Sequence, residues 1–170
     1  MVSFLFSYPC SNIDSVAAVL DLFVVKYLFD KFPSATSHQL AFPRTKAICN
    51  QTLAHLAVKK LGLHKMMLIN SMELNVAVDR SVSVLDSLSA EEIVKNGWKY
   101  DPPKALSDLF ESVVGAVLVD SGYDYEKTTA VLEYVMEDVL EVLSPSLAKD
   151  PVSELTEWAA STGCTRIEIK

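Results

Sequence analysis

Between Asp14 and Lys31, apolar side chains recur at Val16, Val19, Leu20, Phe23, Val24, Tyr27 and Leu28, steps of three and four that gather on one helical face. Phe32-Pro33-Ser34 ends this element. Ser37 to Leu61 reads as helix, interrupted near Pro43 and Asn50 and stopped at Gly62. A shorter helix is predicted around Met66 to Met72 and a more polar one from Ser89 to Gly97. Tyr100-Asp101-Pro102-Pro103 marks a boundary, because proline drives its predecessor out of helical backbone yet suits a helix's first turn. Lys104 to Ser121 is the strongest element, with Leu106, Leu109, Phe110, Val113, Val114, Val117 and Leu118 apolar and Gly122 just past its end. Gly115 lies inside it, where glycine costs about 1 kcal/mol against alanine unless a close approach uses the missing Cβ. Tyr125 to Val142 is a further amphipathic helix. Ser144-Pro145-Ser146 reads as linker, followed by a short helix through Trp158, a turn at Gly163 and a strand start at Arg166-Ile167-Glu168-Ile169-Lys170.

Composition sharpens this picture. Only 5 Gly and 7 Pro occur in 170 residues, too few chain breakers for a turn-dense β-sandwich, so the expected class is all-α. With 15 Lys+Arg against 22 Asp+Glu the net charge is -7, so any contact with nucleic acid must be local or metal-mediated. Cys10, Cys49 and Cys164 match neither a CxxC pair nor a zinc spacing and read as reduced, mostly buried thiols. No run approaches the roughly 20 apolar residues needed to span a bilayer, and the start lacks a signal-peptide pattern. The expectation is a soluble cytoplasmic or nuclear protein, not secreted and with no membrane partner.

The candidate chemistry lies on the helix opened by Pro103. Lys104, Asp108 and Glu111 stand at i, i+4 and i+7, one face carrying a cation and two hard oxygen donors suited to a divalent metal. The same spacing also describes an ordinary solvated face.

The run from Pro103 to Gly122, PKALSDLFESVVGAVLVDSG, decides between them. It closely resembles the second signature segment of the ribonuclease III family, particularly its Dicer branch: a Lys, an Asp, Phe-Glu, Gly-Ala and an Asp-x-Gly end. Upstream, Ala18 to Phe23 and Leu28 to Pro33 resemble the end of the family's first signature helix and the segment after it. Arg44 and Ile48 to Ala54 resemble its Arg and Val-Asn-Asn segment, with Cys49 replacing the first Asn. Downstream, Asp150 to Leu155 and the closing strand resemble the opening of a double-stranded-RNA-binding domain.

The resemblance implies an all-α ribonuclease III endonuclease-domain fold over 12–144, a linker at 145–149, and a truncated α/β stub of a double-stranded-RNA-binding domain at 150–170. It implies an endoribonuclease cutting double-stranded RNA in small-RNA processing, as a homodimer or an intramolecular pseudo-dimer with a second such domain. Four carboxylates per domain would bind Mg²⁺, with Mn²⁺ as a substitute. Asp108 and Glu111 match two of them, and Lys104 matches a lysine that orients a carboxylate or neutralises charge near the phosphate. Asp21, Asn50 and Arg44 fall to supporting roles.

The first signature departs from the pattern. Counting back without gaps from Ala18-Val19-Leu20 puts the other two carboxylate positions at Ile13 and Ala17. Asp14 lies about 100° round the helix from the needed direction, and Asp21 about 5 Å too far along it. The resulting expectation is weak or absent cleavage by this chain. Two alternatives compete: a non-catalytic pseudoenzyme retained for dimerisation, and a truncated or mis-spliced product, which the abrupt start of similarity at Ala18 favours.

The remaining chemistry-bearing residues have plainer readings. His38, His55 and His64 are expected at the surface or satisfied by polar partners, Glu91-Glu92 on a solvated helix face, and Trp98 and Trp158 in core or rim packing. Met66, Met67 and Met72 read as core fill. The apolar faces around Val113, Val117 and Val24 look too extensive for one small bundle, predicting a two-fold or pseudo-two-fold interface.

Overall fold

Four helices of the bundle start where a short polar side chain caps them. A computed structural model describes residues 13–149 and 151–163, with side chains from Val16 onward in the first helix. The order is α1 (Ile13–Lys31), α2 (Ser37–Ile48), α3 (Asn50–His55), α4 (Met72–Ser87), α5 (Ala90–Asn96), α6 (Lys104–Asp120), α7 (Tyr125–Val142) and α8 (Pro151–Ser161), and no strand occurs among the described residues. Thr36 caps α2 through a reciprocal capping box with Gln39, while Ser71, Ser89 and Asp124 cap α4, α5 and α7. At the far end of α6, Tyr123 N–H donates to the Leu118 carbonyl (2.8 Å) and Gly122 N–H to that of Val119 (3.0 Å). This Schellman closure uses the left-handed backbone of Gly122, φ 75°.

α6 is the central rod, packed on α3, α1 and α7. It buries Leu106, Phe110, Val114 and Leu118, one residue per turn. α1 supplies Val16, Leu20, Phe23, Val24 and Leu28 to the same core, and α7 supplies Leu132, Val135, Met136, Val139 and Leu140. α1 and α6 cross where Gly115 faces Val16: a Cβ at Gly115 would lie 2.9 Å from Val16 Cγ2, closer than real carbon atoms pack. Beside α7, Lys31 ties down its end by donating to the carbonyls of Leu140 (2.8 Å) and Glu141 (3.4 Å), a cation on a helix C-terminus.

Several sequence expectations change. α2 runs through Pro43 without a break, its buried ring packing in the core in exchange for the lost backbone bond. The interruption comes at Cys49, whose extended backbone (ψ 157°) separates α2 from α3. α3 then widens into a π-helical turn over Leu56–Lys60, which sends Lys59 to the Asp86 and Leu88 carbonyls at the end of α4 and just past it, and Lys60 to Asp138 on α7.

The helix expected around Met66 to Met72 is only a 3₁₀ turn, Leu63–Met66, and an extended stretch leads to Met72, where α4 begins. Ser71 caps α4 by accepting from Leu74 N–H, and Leu74, Val82 and the buried Val78 and Leu85 form its core face. Met66 and Met72 are exposed, so of the three methionines only Met67 packs on the core. Val24 is wholly buried inside this chain, so it faces the core and not a partner. Trp98 and Trp158 stand out at 45% and 61% exposure. His55 is buried, its Nδ1 3.2 Å from the Leu85 carbonyl, whereas His64 Nδ1 is buried without a hydrogen-bond partner, contrary to the expected satisfaction. Cys49 is half-buried, while Cys10, Cys164 and the strand expected at 166–170 lie outside the described residues.

Gly115→Ala is expected to destabilise the chain by about 1–3 kcal/mol, the usual range for overpacking, lowering the thermal midpoint by several degrees. Val16→Ala in the same chain should recover part of that loss in a denaturant titration, because it removes the atom the new methyl meets.

Candidate functional site

The first turns of α6 follow directly from Pro102-Pro103, and Pro103 occupies the cap position with no side-chain hydrogen bond. Lys104 therefore enters α6 at its exposed start, and its Nζ lies 2.7 Å from Asp108 Oδ1, one turn on. Both partners face solvent, with 70% and 43% of the side chain exposed, so the pair itself adds little stability. Its consequence is electrostatic: the hydrogen bond and charge of Asp108 hold the Lys104 ammonium above its ordinary pKa.

Glu111, three residues beyond Asp108 on the same face, is half-buried against the helix bundle. Burial pushes its carboxyl above the usual glutamate range, the negative charge of Asp108 adds to that, and Lys104 opposes it. Two carboxylates of unlike environment thus stand beside one ammonium, an arrangement suited to a hard cation or a phosphate-bearing ligand.

A buried hydroxyl anchors this face to the rest of the fold. Ser107 Oγ lies 3.1 Å from Asn50 Oδ1 and 2.8 Å from the Lys104 carbonyl, so the first turn of α3 and that of α6 share one donor. Ser107 is a site residue that the sequence pattern did not single out. Its signal was a polar side chain on the buried stripe it shares with Phe110 and Val114.

Arg44 and Asp21 meet elsewhere: Arg44 Nε is 2.5 Å from Asp21 Oδ1 and its second nitrogen 2.7 Å from Oδ2, a bidentate clamp between α2 and α1. Both Asp21 oxygens are thereby engaged, and the clamp holds the Arg44 guanidinium above its ordinary pKa. Ala17 is exposed on α1, next to the Val16 crossing. Among the described residues no group of three or more His, Cys, Asp or Glu is placed to hold a metal ion. Asp108 and Glu111 could share one cation completed by water and ligand oxygens, but the described donors do not fit a pair of ions.

The all-α bundle thus carries an acid pair and a lysine on its central helix, and comparison with known proteins supplies the family. Residues 17–122 match the Ribonuclease III domain family, and the chain belongs to it. The chain is 36% identical to Endoribonuclease Dicer homolog 2 of Arabidopsis thaliana over 82% of its own length and 10% of that protein. It is 30% identical to Endoribonuclease Dcr-1 of Drosophila melanogaster over 85% of its length and 7% of the relative. To Protein Dicer of Schizosaccharomyces pombe it is 27% identical over 86% of its length and 11% of the relative. The chain thus spans about a tenth of the length of the curated relatives it matches. No described helix is long and apolar enough to cross a membrane.

Because Glu111 is harder to ionise in the folded chain than in the unfolded one, its contribution to stability is largest below the unfolded glutamate value and lost as pH rises through the folded one. In chelator-containing buffer at neutral pH, Glu111→Gln is therefore expected to raise the denaturation midpoint. The difference should vanish below about pH 4.3, where the unfolded carboxyl is also protonated.

Proposed function

We propose that this chain is the ribonuclease III domain of a Dicer-like endoribonuclease that processes double-stranded RNA, and that on its own it cleaves weakly or not at all. Membership of the family supports the first part. The second rests on one observation: Asp108 and Glu111 gain no third carboxylate among the described residues, while the helix that crosses α6 presents Ala17.

In this reading Asp108 and Glu111 are the metal-facing pair, Mg²⁺ is the natural ion with Mn²⁺ as its substitute, and the ion would supply an activated water and neutralise phosphate charge. Lys104 holds Asp108 in place and offers its ammonium to the RNA backbone. Asn50 and Ser107 fix the start of α6, and the Arg44–Asp21 clamp fixes α1 against α2. The partner is a second ribonuclease III domain, in a homodimer or within a longer chain, meeting the half-buried Val113 and Val117 on α6. The segment after 144, with α8, is assigned to the start of a double-stranded-RNA-binding domain.

A second reading, a non-catalytic dimerising domain, draws on the same Ala17, and one experiment separates the two. The purified chain is incubated with long duplex RNA and Mg²⁺ or Mn²⁺, and compared with the double variant Ile13→Glu, Ala17→Asp. Weak native cleavage that rises about 10–100-fold in the double variant, and disappears when Asp108→Ala is added, supports the endoribonuclease reading. No cleavage by either chain, with sedimentation giving a dimer, supports the pseudoenzyme. Efficient native cleavage that survives Asp108→Ala overturns the placement of the site.

A further inference from the structure

The connection from α5 to α6 carries a tryptophan that the core does not take. Ile93, Val94 and Gly97 just before it are buried, whereas the Trp98 indole is 45% exposed. Lys99 Nζ stands over that ring, 5.5 Å from its centroid. The other cations of this stretch are engaged: Lys95 lies 2.6 Å from Glu91 Oε1, and Lys104 2.7 Å from Asp108 Oδ1. Lys99 forms no ion pair among the described residues. The acid nearest to it in sequence, Asp101, is exposed two residues on.

The first turn of α3 fixes this pair relative to the acid face. Gln51 Nε2 donates to the Tyr100 carbonyl (3.3 Å), and Gly97 packs on the same side chain, where an added Cβ would lie 3.4 Å from Gln51 Cβ. The adjacent Asn50 accepts from Ser107, the residue before Asp108. One turn of α3 therefore anchors both the turn that bears Trp98 and the start of α6. Six residues separate Trp98 from Lys104, which keeps their Cα atoms within about 22 Å of each other.

We propose that Trp98 and Lys99 bind one unpaired nucleotide of an RNA whose duplex part lies along the acid face of α6. The indole stacks on the base, and the ammonium leaves the ring for the adjoining phosphate. This inference rests on the double-stranded-RNA reading of that face. Bases inside a duplex are already stacked on their neighbours and offer no face to an indole, so the base that reaches Trp98 is one left unpaired at a strand end or in a bulge. One ring and one uncompensated cation, beside Asp101 and in a chain of net charge -7, suit a single nucleotide and not a long strand.

The test uses the full chain carrying Trp158→Phe; Trp158 is 61% exposed and is the other of the two tryptophans, so Trp98 alone then fluoresces. In chelator-containing buffer, which keeps the RNA intact, the chain is titrated with a blunt RNA duplex of about 16 base pairs and with the same duplex bearing unpaired nucleotides at one end. Saturable quenching of Trp98 is expected with the second RNA only, together with an affinity about tenfold higher by anisotropy of the labelled RNA. Trp98→Ala should abolish that preference and leave blunt-duplex binding unchanged. Trp98→Phe should restore part of the preference, which a merely structural indole would not do. Lys99→Gln should lower the salt slope of binding to the second RNA by about one. Equal affinity for the two RNAs, a preference that survives Trp98→Ala, or equal quenching by the blunt duplex would overturn the proposal and leave the RNA reading in place. Failure of both RNAs to change the anisotropy would overturn that reading and the proposal with it.

Discussion

Everything in this bundle is arranged around the contact of Val16 with Gly115. Two helices that approach this closely leave no room for a Cβ at the crossing, so glycine there exchanges helix propensity for proximity. That proximity brings the first turns of α1 beside α6, the helix that carries Asp108 and Glu111. The same closeness lets Leu20, Phe23, Phe110 and Val114 share one core. A bulkier residue at 115 would separate the two helices and, with them, any chemistry that needs groups from both.

Around that crossing the polar groups fall into structural and unspent sets. Ser107 with Asn50, and Arg44 with Asp21, join α6 to α3 and α2 to α1; their donors and acceptors are consumed by the fold. Glu111 is the opposite case. Burial and the neighbouring charge of Asp108 disfavour its ionised form.

Legibility tracked periodicity and cap chemistry. The strong stripes of α1, α6 and α7 were readable because successive buried residues came from one segment, and Gly122 announced its Schellman closure by type alone. α4 was missed although Ser71 with Leu74, Val78, Val82 and Leu85 carried the pattern, because its opening turn places the exposed, apolar Met72 where a core residue was expected. Pro43 misled in the other direction: the penalty of a helix-interior proline is local, while the burial that offsets it depends on neighbours far along the chain. For the candidate site, spacing within one helix put Lys104, Asp108 and Glu111 on one face, while their proposed roles came from the family resemblance. Ser107 was not, because its role depends on Asn50, which reaches it from fifty-seven residues away.

The sequence by itself determined the all-α class, the face of α6 that bears the acid pair, and the apolar residues at positions 13 and 17, since each is a matter of residue type and helical period; the family was carried by the resemblance of its motifs. Only the tertiary structure decided what those residues meet. It engaged Asp21 with Arg44, buried Val24 within the chain and set Gly115 against Val16, none of which a local pattern announces. The reason is physical: period and propensity act over one or two turns, whereas desolvation and close packing depend on whichever distant segment arrives to cover a face.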